Sequence, residues 1–214
     1  MNILLLGNGG REHALAWKII QSPLCDRLLI APGNSGTASC GENVPIKPTD
    51  FDALKQLAIE KNIGMVVVGP EDPLVQGVWD FFRRDEQLQH VTVVGPSREG
   101  ARLEGSKAFA KVFMQEFGIP TAAYREFGTG QLEEGLAYIA AHTLPVVLKA
   151  DGLAAGKGVV IAQDESEARA AITSLGNRLV LEEFLEGEEL SFIAICDGVT
   201  ALPLGESLWI TGEA

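Results

Sequence analysis

Histidine, cysteine and aromatic side chains are scarce in this 214-residue chain: it has three histidines, three cysteines and 7% Phe, Trp and Tyr. Cys25, Cys40 and Cys196 show no Cys-x-x-Cys spacing and no clustered histidine, which argues against a zinc site and against a disulfide framework. They read as thiols of a reduced, cytoplasmic protein. Positive charge is short too. Seventeen Lys and Arg against 29 Asp and Glu leave a net charge of −12, a field that repels nucleic acid and anionic membrane and confines phosphate binding to a local pocket. No apolar run approaches the roughly 18 residues of a membrane helix. The opening Met1-Asn2-Ile3-Leu4-Leu5-Leu6-Gly7 lacks the basic region and cleavage site of a signal peptide. Neither nucleic acid nor membrane is expected as a partner, and nothing in the sequence sets an oligomeric state.

What the chain does have is 46% apolar residues, enough for a substantial core. Ile3 to Leu6 is a continuously apolar run stopped by Gly7, as expected of a buried parallel strand. A helix follows over Arg11 to Ile20, then a strand over Arg27 to Ala31, a helix over Phe51 to Lys61, a strand over Met65 to Val68, a helix over Leu74 to Arg83 and a strand over Val91 to Val94. Strands alternating with helices predict an α/β fold with a doubly wound parallel sheet. Several strands end in Gly or Pro-Gly punctuation, at Gly7, Pro32-Gly33, Gly69-Pro70 and Gly95-Pro96, so these turns converge on one candidate site at the carboxyl edge of the sheet. After Ser106-Lys107 a helix runs to about Phe117, and a second, α+β unit begins between Gly105 and Pro120. It is read as strands over Ala122 to Phe127, Val146 to Ala150, Val159 to Ala162 and Leu179 to Glu183, with helices over Leu132 to Ala141 and Ser166 to Leu175.

The strongest chemical signal lies between Pro145 and Val160: a strand carrying Lys149, then a loop from Gly152 to Gly158 carrying Lys157. A rigid strand fixes one cation, while small residues let backbone N–H groups close over anionic oxygens. This is not a P-loop. Gly152 and Gly156 are separated by three residues, and Gly158 stands where the magnesium-binding hydroxyl would be. Nor is the first turn, Gly7-Asn8-Gly9-Gly10-Arg11-Glu12, a dinucleotide fingerprint. Glu12 occupies its third glycine position, and the second strand ends without an acidic residue for a ribose hydroxyl. A glycine turn at a helix N-terminus favours instead a small phosphorylated ligand, through its free N–H groups.

These blocks, with Val68-Gly69-Pro70-Glu71-Asp72-Pro73-Leu74, Glu104-Gly105-Ser106-Lys107 and Glu182-Glu183-Phe184-Leu185-Glu186-Gly187-Glu188-Glu189, make the chain from Asn2 to about Pro203 resemble the phosphoribosylamine–glycine ligases of purine biosynthesis. These are ATP-grasp enzymes. The resemblance implies a pre-ATP-grasp substrate domain over 1–104 and a partial ATP-grasp domain over 105–214, with a lid subdomain at about 120–186. It implies glycine, phosphoribosylamine and ATP as partners, with Mg2+ or Mn2+ in the complete enzyme. Lys107 and Lys149 would contact the ATP phosphates, and the loop with Gly156, Lys157 and Gly158 would close over them. Glu182 would take the adenine amine, the backbone near Glu183, Phe184 and Leu185 the base edge, and Glu189 the ribose. Gly9, Gly10, Arg11, Gly33, Asn34, Glu71 and Asp72 would hold phosphoribosylamine, although Asp72 also fits a simple helix-capping role.

No metal ligand is expected in this chain, because the segment carrying the family's metal-binding residues has no counterpart in it. The expectation is therefore a truncated ligase, inactive alone, whose apolar stretch Leu202 to Ile210, with Trp209, forms an exposed tail. The alternatives are another ATP-grasp carboxylate–amine ligase and a non-catalytic nucleotide-binding module.

Overall fold

The computed structural model describes residues 1–128, 130–152, 158–175 and 178–209. The first half is a five-stranded parallel sheet. In chain order its elements are β1 (Asn2–Gly7), α1 (Gly10–Ile19), β2 (Arg27–Pro32), β3 (Glu42–Asn43), α2 (Phe51–Glu60), β4 (Ile63–Val68), α3 (Asp72–Gln76), α4 (Val78–Arg84) and β5 (Thr92–Val94). The strand order is β3-β2-β1-β4-β5, and each neighbouring pair runs parallel.

Burial on both faces explains why β1 reads as an unbroken apolar run. Ile3 and Leu5 pack with Ala16 of α1 and with Leu28 and Ile30 of β2. Leu4 and Leu6 point the other way, into a core with Leu29, Leu54 of α2 and Phe82 of α4. Leu4, Leu5 and Leu6 are each fully buried, and burial of such a side chain contributes about 1.5–3 kcal/mol.

The helix expected over Leu74 to Arg83 is two helices, α3 and α4. Gly77 separates them with φ +96°, a left-handed conformation that ends α3 and re-aims the chain. A further helix, α5 (Arg98–Gly105), precedes α6 (Lys107–Glu116). Serine caps open both: Ser97 Oγ accepts from Gly100 N–H, and Ser106 Oγ accepts from Phe109 N–H.

The second sheet is antiparallel, with β6 (Tyr124–Phe127), β9 (Leu179–Glu183), β7 (Val146–Ala150) and β8 (Val159–Ala162) in that order. Helices α7 (Leu132–Ala140) and α8 (Glu165–Leu175) cover one face, where Val146, Leu148, Leu179 and Leu181 pack against Leu136, Ile139, Ala168 and Ile172. Strand alternation turns Lys149 and Glu182 to the opposite face. A hairpin follows, β10 (Glu189–Cys196) and β11 (Ala201–Trp209). The apolar stretch expected as an exposed tail is a strand as far as Trp209, paired with β10, and its Leu202 and Leu204 are exposed. Ile210 lies outside the described residues.

Candidate functional site

Strand register creates the centre of the site. Val147 of β7 stands opposite Glu182 of β9, so Lys149, two residues on, is a diagonal neighbour of Glu182 on the same face. Its Nζ donates to Glu182 Oε2 at 2.8 Å. Lys111 of α6 approaches the same oxygen from the other side, Nζ to Oε2 3.3 Å. Glu182 is buried with 7% of its side chain exposed, and Lys111 with 8%.

Lys107, the first residue of α6, donates from Nζ to Gly152 O at 2.7 Å. The helix start is tied to the glycine loop a second time: Asp151 Oδ1 accepts from Ser106 Oγ at 3.1 Å and from Ala108 N–H at 3.3 Å. Around these groups lies a cavity of about 590 Å³, lined by Lys107, Lys111, Lys149, Glu182, Gly152, Gly158, Leu185 and Glu71, among others. Three ammonium groups share this cavity with the carboxylates of Glu71, Glu104 and Glu182, so a polyanion would compete with those carboxylates for the lysines, and the apolar walls from Leu103, Met114 and Val159 suit a flat base.

The structure brings Lys107, Lys149, Gly158, Glu182 and Leu185 together, as the sequence suggests. Gly156 and Lys157 lie outside the described residues. Glu183 turns away, its Oε1 accepting from Ala123 N–H at 2.8 Å, and Phe184 is partly exposed beside the cavity rather than on its lining. Glu189 is described only as the first residue of β10.

At the carboxyl edge of the parallel sheet, the turn after β1 differs from the sequence reading in one respect. The N–H of Gly9 is not free for a phosphate: it donates to Glu12 Oε2 at 2.6 Å. Glu12 sits at the third position of α1 with 4% exposure, and its carboxylate satisfies one of the open donors at the helix start. Gly10 has open space around its α-carbon. Arg11, largely exposed, has Nε 3.2 Å from Glu12 Oε1 and a guanidinium nitrogen 3.7 Å from Glu71 Oε2.

Gly33 has φ +72°, and a Cβ there would meet Asn43 Oδ1 at 2.2 Å. Asn34 is a loop staple: its amide donates to Asn8 O at 2.8 Å, and its Oδ1 accepts from the N–H groups of Gly36 and Thr37. Asp72 accepts from Gln76 Nε2 within α3 at 2.9 Å. Glu71 therefore stands alone among these in facing both regions, touching Arg11 and lining the cavity.

Sequence reasoning missed two residues here. Lys111 falls three positions after the buried Ala108, on the inward stripe of α6, and a lysine on such a stripe is a signal in itself. Glu12 was visible only as a departure from a glycine fingerprint.

A parallel sheet with its turns gathered at one edge, followed by an antiparallel sheet whose Lys149 faces a cavity shared with Lys107 and Lys111 of α6, fits the front part of an ATP-grasp ligase. Profiles of the two domains agree: phosphoribosylglycinamide synthetase, N domain, matches residues 1–104, and phosphoribosylglycinamide synthetase, ATP-grasp (A) domain, matches residues 105–207. The chain belongs to the phosphoribosylamine–glycine ligase family. It is 49% identical over 218 residues to phosphoribosylamine–glycine ligase of Haemophilus influenzae, covering 97% of this chain and 49% of that protein. With the Mesorhizobium japonicum enzyme it is 50% identical over 213 residues, covering 96% and 49%. The crystal structure of the Thermotoga maritima ligase superimposes with a TM-score of 0.76 at 33% identity, over 96% of this chain and 49% of that one. The chain spans about half the length of the curated relatives it matches.

Proposed function

We propose that this chain carries the nucleotide grip and the acceptor-binding turns of a cytoplasmic ligase that joins glycine to 5-phosphoribosylamine in de novo purine biosynthesis. ATP transfers its γ-phosphoryl group to the glycine carboxylate, giving glycyl phosphate and ADP. The amine of phosphoribosylamine then attacks the acyl carbon. A C–N bond forms, the acyl C–O bond to phosphate breaks, the amine loses a proton, and glycinamide ribonucleotide and phosphate leave. A carboxylate becomes a competent acyl donor only once one oxygen has been made a good leaving group, and phosphoryl transfer is promoted by positioning and charge neutralisation.

In this reading residues 1–104 form the acceptor domain, residues 105–214 part of the ATP-grasp domain, and about 120–186 its lid. Lys107 and Lys149 neutralise the phosphates, the 152–158 loop with Gly156, Lys157 and Gly158 covers them, and Glu182 with the backbone of Glu183, Phe184 and Leu185 reads adenine. Glu189 serves the ribose. Gly9, Gly10, Arg11, Gly33, Asn34, Glu71 and Asp72 shape the phosphoribosylamine site, with Glu71 on the wall that the two sites share. A bound Mg2+ or Mn2+ would offset charge on the transferring phosphoryl group. Among the described residues no group of three or more His, Cys, Asp or Glu side chains is placed to hold a metal, so no step here is assigned to one.

The observation that carries this reading is the convergence of Lys107, Lys149 and Glu182, from α6, β7 and β9, on one cavity. Calorimetric titration of the chain with ADP tests it. Weak, saturable binding that Lys149→Ala lowers by about tenfold or more is expected from loss of a charge-assisted contact. The chain alone is expected not to form glycinamide ribonucleotide from ATP, magnesium, glycine and fresh phosphoribosylamine. Measurable turnover would contradict that part of the proposal.

A further inference from the structure

We propose that Lys111 is a positioning residue of the nucleotide site: it supplies a permanent second counter-charge to Glu182, and so frees Lys149 to pass from that carboxylate onto a polyphosphate. The inference rests on the nucleotide reading above and concerns a residue to which that reading gives no role.

Two ammonium groups share one carboxylate oxygen, Lys149 Nζ at 2.8 Å and Lys111 Nζ at 3.3 Å from Glu182 Oε2. One of the two is in excess. Stability does not account for the arrangement, because burying ion pairs is costly and apolar replacements of similar volume are often as stable.

The two lysines are not equivalent. Lys111 Nζ also donates to Thr121 Oγ1 at 2.7 Å and approaches Ala122 O at 3.3 Å, so its three N–H groups face three acceptors. It lies 5.4 Å from the centre of the Tyr124 ring and is 8% exposed, a cation fixed from several sides. Both line the cavity, but Lys149 is 29% exposed against 8% for Lys111. Lys149 is the one that can move.

Consider the charge when phosphates enter. If Lys149 were the sole partner of Glu182, its transfer to the phosphates would strand a carboxylate that is only 7% exposed, and an uncompensated buried charge is heavily penalised. With Lys111 in place the carboxylate keeps a partner throughout. Lys149 is then parked on Glu182 in the empty site and released without that penalty. Glu182 meanwhile stays where it is on β9, opposite Tyr124 at the start of β6, whatever Lys149 does.

The test measures ADP and adenosine dissociation constants for the same set of proteins, with titrations carried to millimolar ligand. The ratio of the two reports what the phosphates contribute, independently of base recognition and of general damage to the pocket. Lys111→Met is expected to weaken ADP by about tenfold or more while changing adenosine by less than about threefold, since only the phosphates require Lys149 to leave its partner. Lys111→Arg keeps the charge and should stay close to the unsubstituted protein. Glu182→Gln removes the carboxylate that needs compensating, so Lys111→Met/Glu182→Gln should recover the phosphate contribution of Glu182→Gln alone.

Equal loss of ADP and adenosine binding in Lys111→Met, or no recovery in the double variant, would reduce Lys111 to a structural tie and overturn the inference. ADP binding that depends on Lys149 but not on Lys111 would also overturn it, and would leave the nucleotide reading intact. Absence of ADP binding, or binding indifferent to Lys149→Ala, would overturn the nucleotide reading and this inference together.

Discussion

Gly69, just past the end of β4, leaves open the space that the Glu12 carboxylate fills: a Cβ there would stand 2.4 Å from Glu12 Oε1 and 2.5 Å from its Cγ. Gly7 and Gly9 crowd the same side chain, with hypothetical Cβ atoms 2.6 Å from Cγ and 2.8 Å from Oε2. The sheet order reverses between β1 and β4, so Glu12 occupies the crevice at the switch point where open α/β sheets commonly place a ligand. A residue that looked like a failed fingerprint is what plugs and rigidifies this edge.

Gly69→Ala is therefore expected to lower the unfolding free energy by about 1–3 kcal/mol through overpacking. Glu12→Ala alone should cost about 1–3 kcal/mol, because the Gly9 N–H loses its acceptor. In the Glu12→Ala background the Gly69→Ala cost should shrink to about 0.5 kcal/mol or less, as expected when two residues share one steric conflict. Urea denaturation of the four proteins gives the cycle. A Gly69 penalty unchanged by removing Glu12 would place the conflict elsewhere.

A second prediction concerns acid. Lys55 of α2 donates to Asp85 Oδ2 at the end of α4, and this contact, chiefly, holds the Asp85 carboxyl below its ordinary value of 3.8. A carboxyl depressed in the folded state binds its proton less readily there than when unfolded. Its contribution is thus full above the ordinary value and is lost as pH falls through the lower, folded one. Melting temperature followed from pH 6 downward should fall less steeply for Asp85→Asn than for the unsubstituted chain, with the two profiles converging at the acid end. Parallel profiles would show that the pair is not coupled to folding.

Legibility followed burial and period. Strands β7 and β9 are bounded in the structure as the sequence suggests, because each is an apolar run with one face on a helical core and a charged residue breaking out on the other. The register that makes Lys149 and Glu182 neighbours is not local: it depends on how two strands align whose paired side chains are 33 positions apart in the chain, and no single-chain pattern states it. Helix α5 escaped because Gly100 and Gly105 dilute its pattern, although Ser97 is a proper cap. Gly77 gave no warning of splitting a helix, since a glycine within a helical pattern is as often tolerated as it is a stop. The β10–β11 hairpin lacks clean alternation. Apolar Phe192 and Ile193 are adjacent, and a register shift follows at Ile193/Ala194.

That hairpin carries a third prediction. Phe192, Ile193, Ile195, Leu202 and Leu204 are all more than half exposed, so apolar side chains emerge on successive positions and hence on both faces of a two-stranded ribbon. Contiguous exposed apolar surface drives association. Sedimentation velocity should show concentration-dependent self-association of the chain, and Phe192→Lys/Leu204→Lys should shift it towards monomer without changing the melting temperature of the parallel sheet. Association that persists in that variant would exclude the hairpin as its cause.

The last prediction tests how Asp151 and Gly152, at the end of β7, are held to the helix that presents Lys107. Asp151 is the residue at which β7 gives way to the loop, and its carboxylate takes hydrogen bonds from Ser106 Oγ and from Ala108 N–H at the start of α6. Arg178 Nε lies 3.9 Å from its other oxygen. Ser106 in turn caps α6 by accepting from Phe109 N–H at 3.2 Å. Removing Ser106 Oγ should cost about 0.5–2 kcal/mol as a lost cap. Removing the Asp151 carboxylate should cost about 1–3 kcal/mol by leaving the Ser106 hydroxyl and the Ala108 N–H without it. Because both losses include the bond between them, Ser106→Ala/Asp151→Ala should cost less than the sum of the singles by about 0.5 kcal/mol or more. The functional consequence separates from the structural one: Lys107 reaches Gly152 O only while loop and helix start keep their spacing. Asp151→Ala should thus weaken ADP more than adenosine, the same pattern expected of Lys107→Ala. If Asp151→Ala destabilises the fold yet leaves the ADP-to-adenosine ratio untouched, the tie serves folding alone and Lys107 is positioned by its own helix.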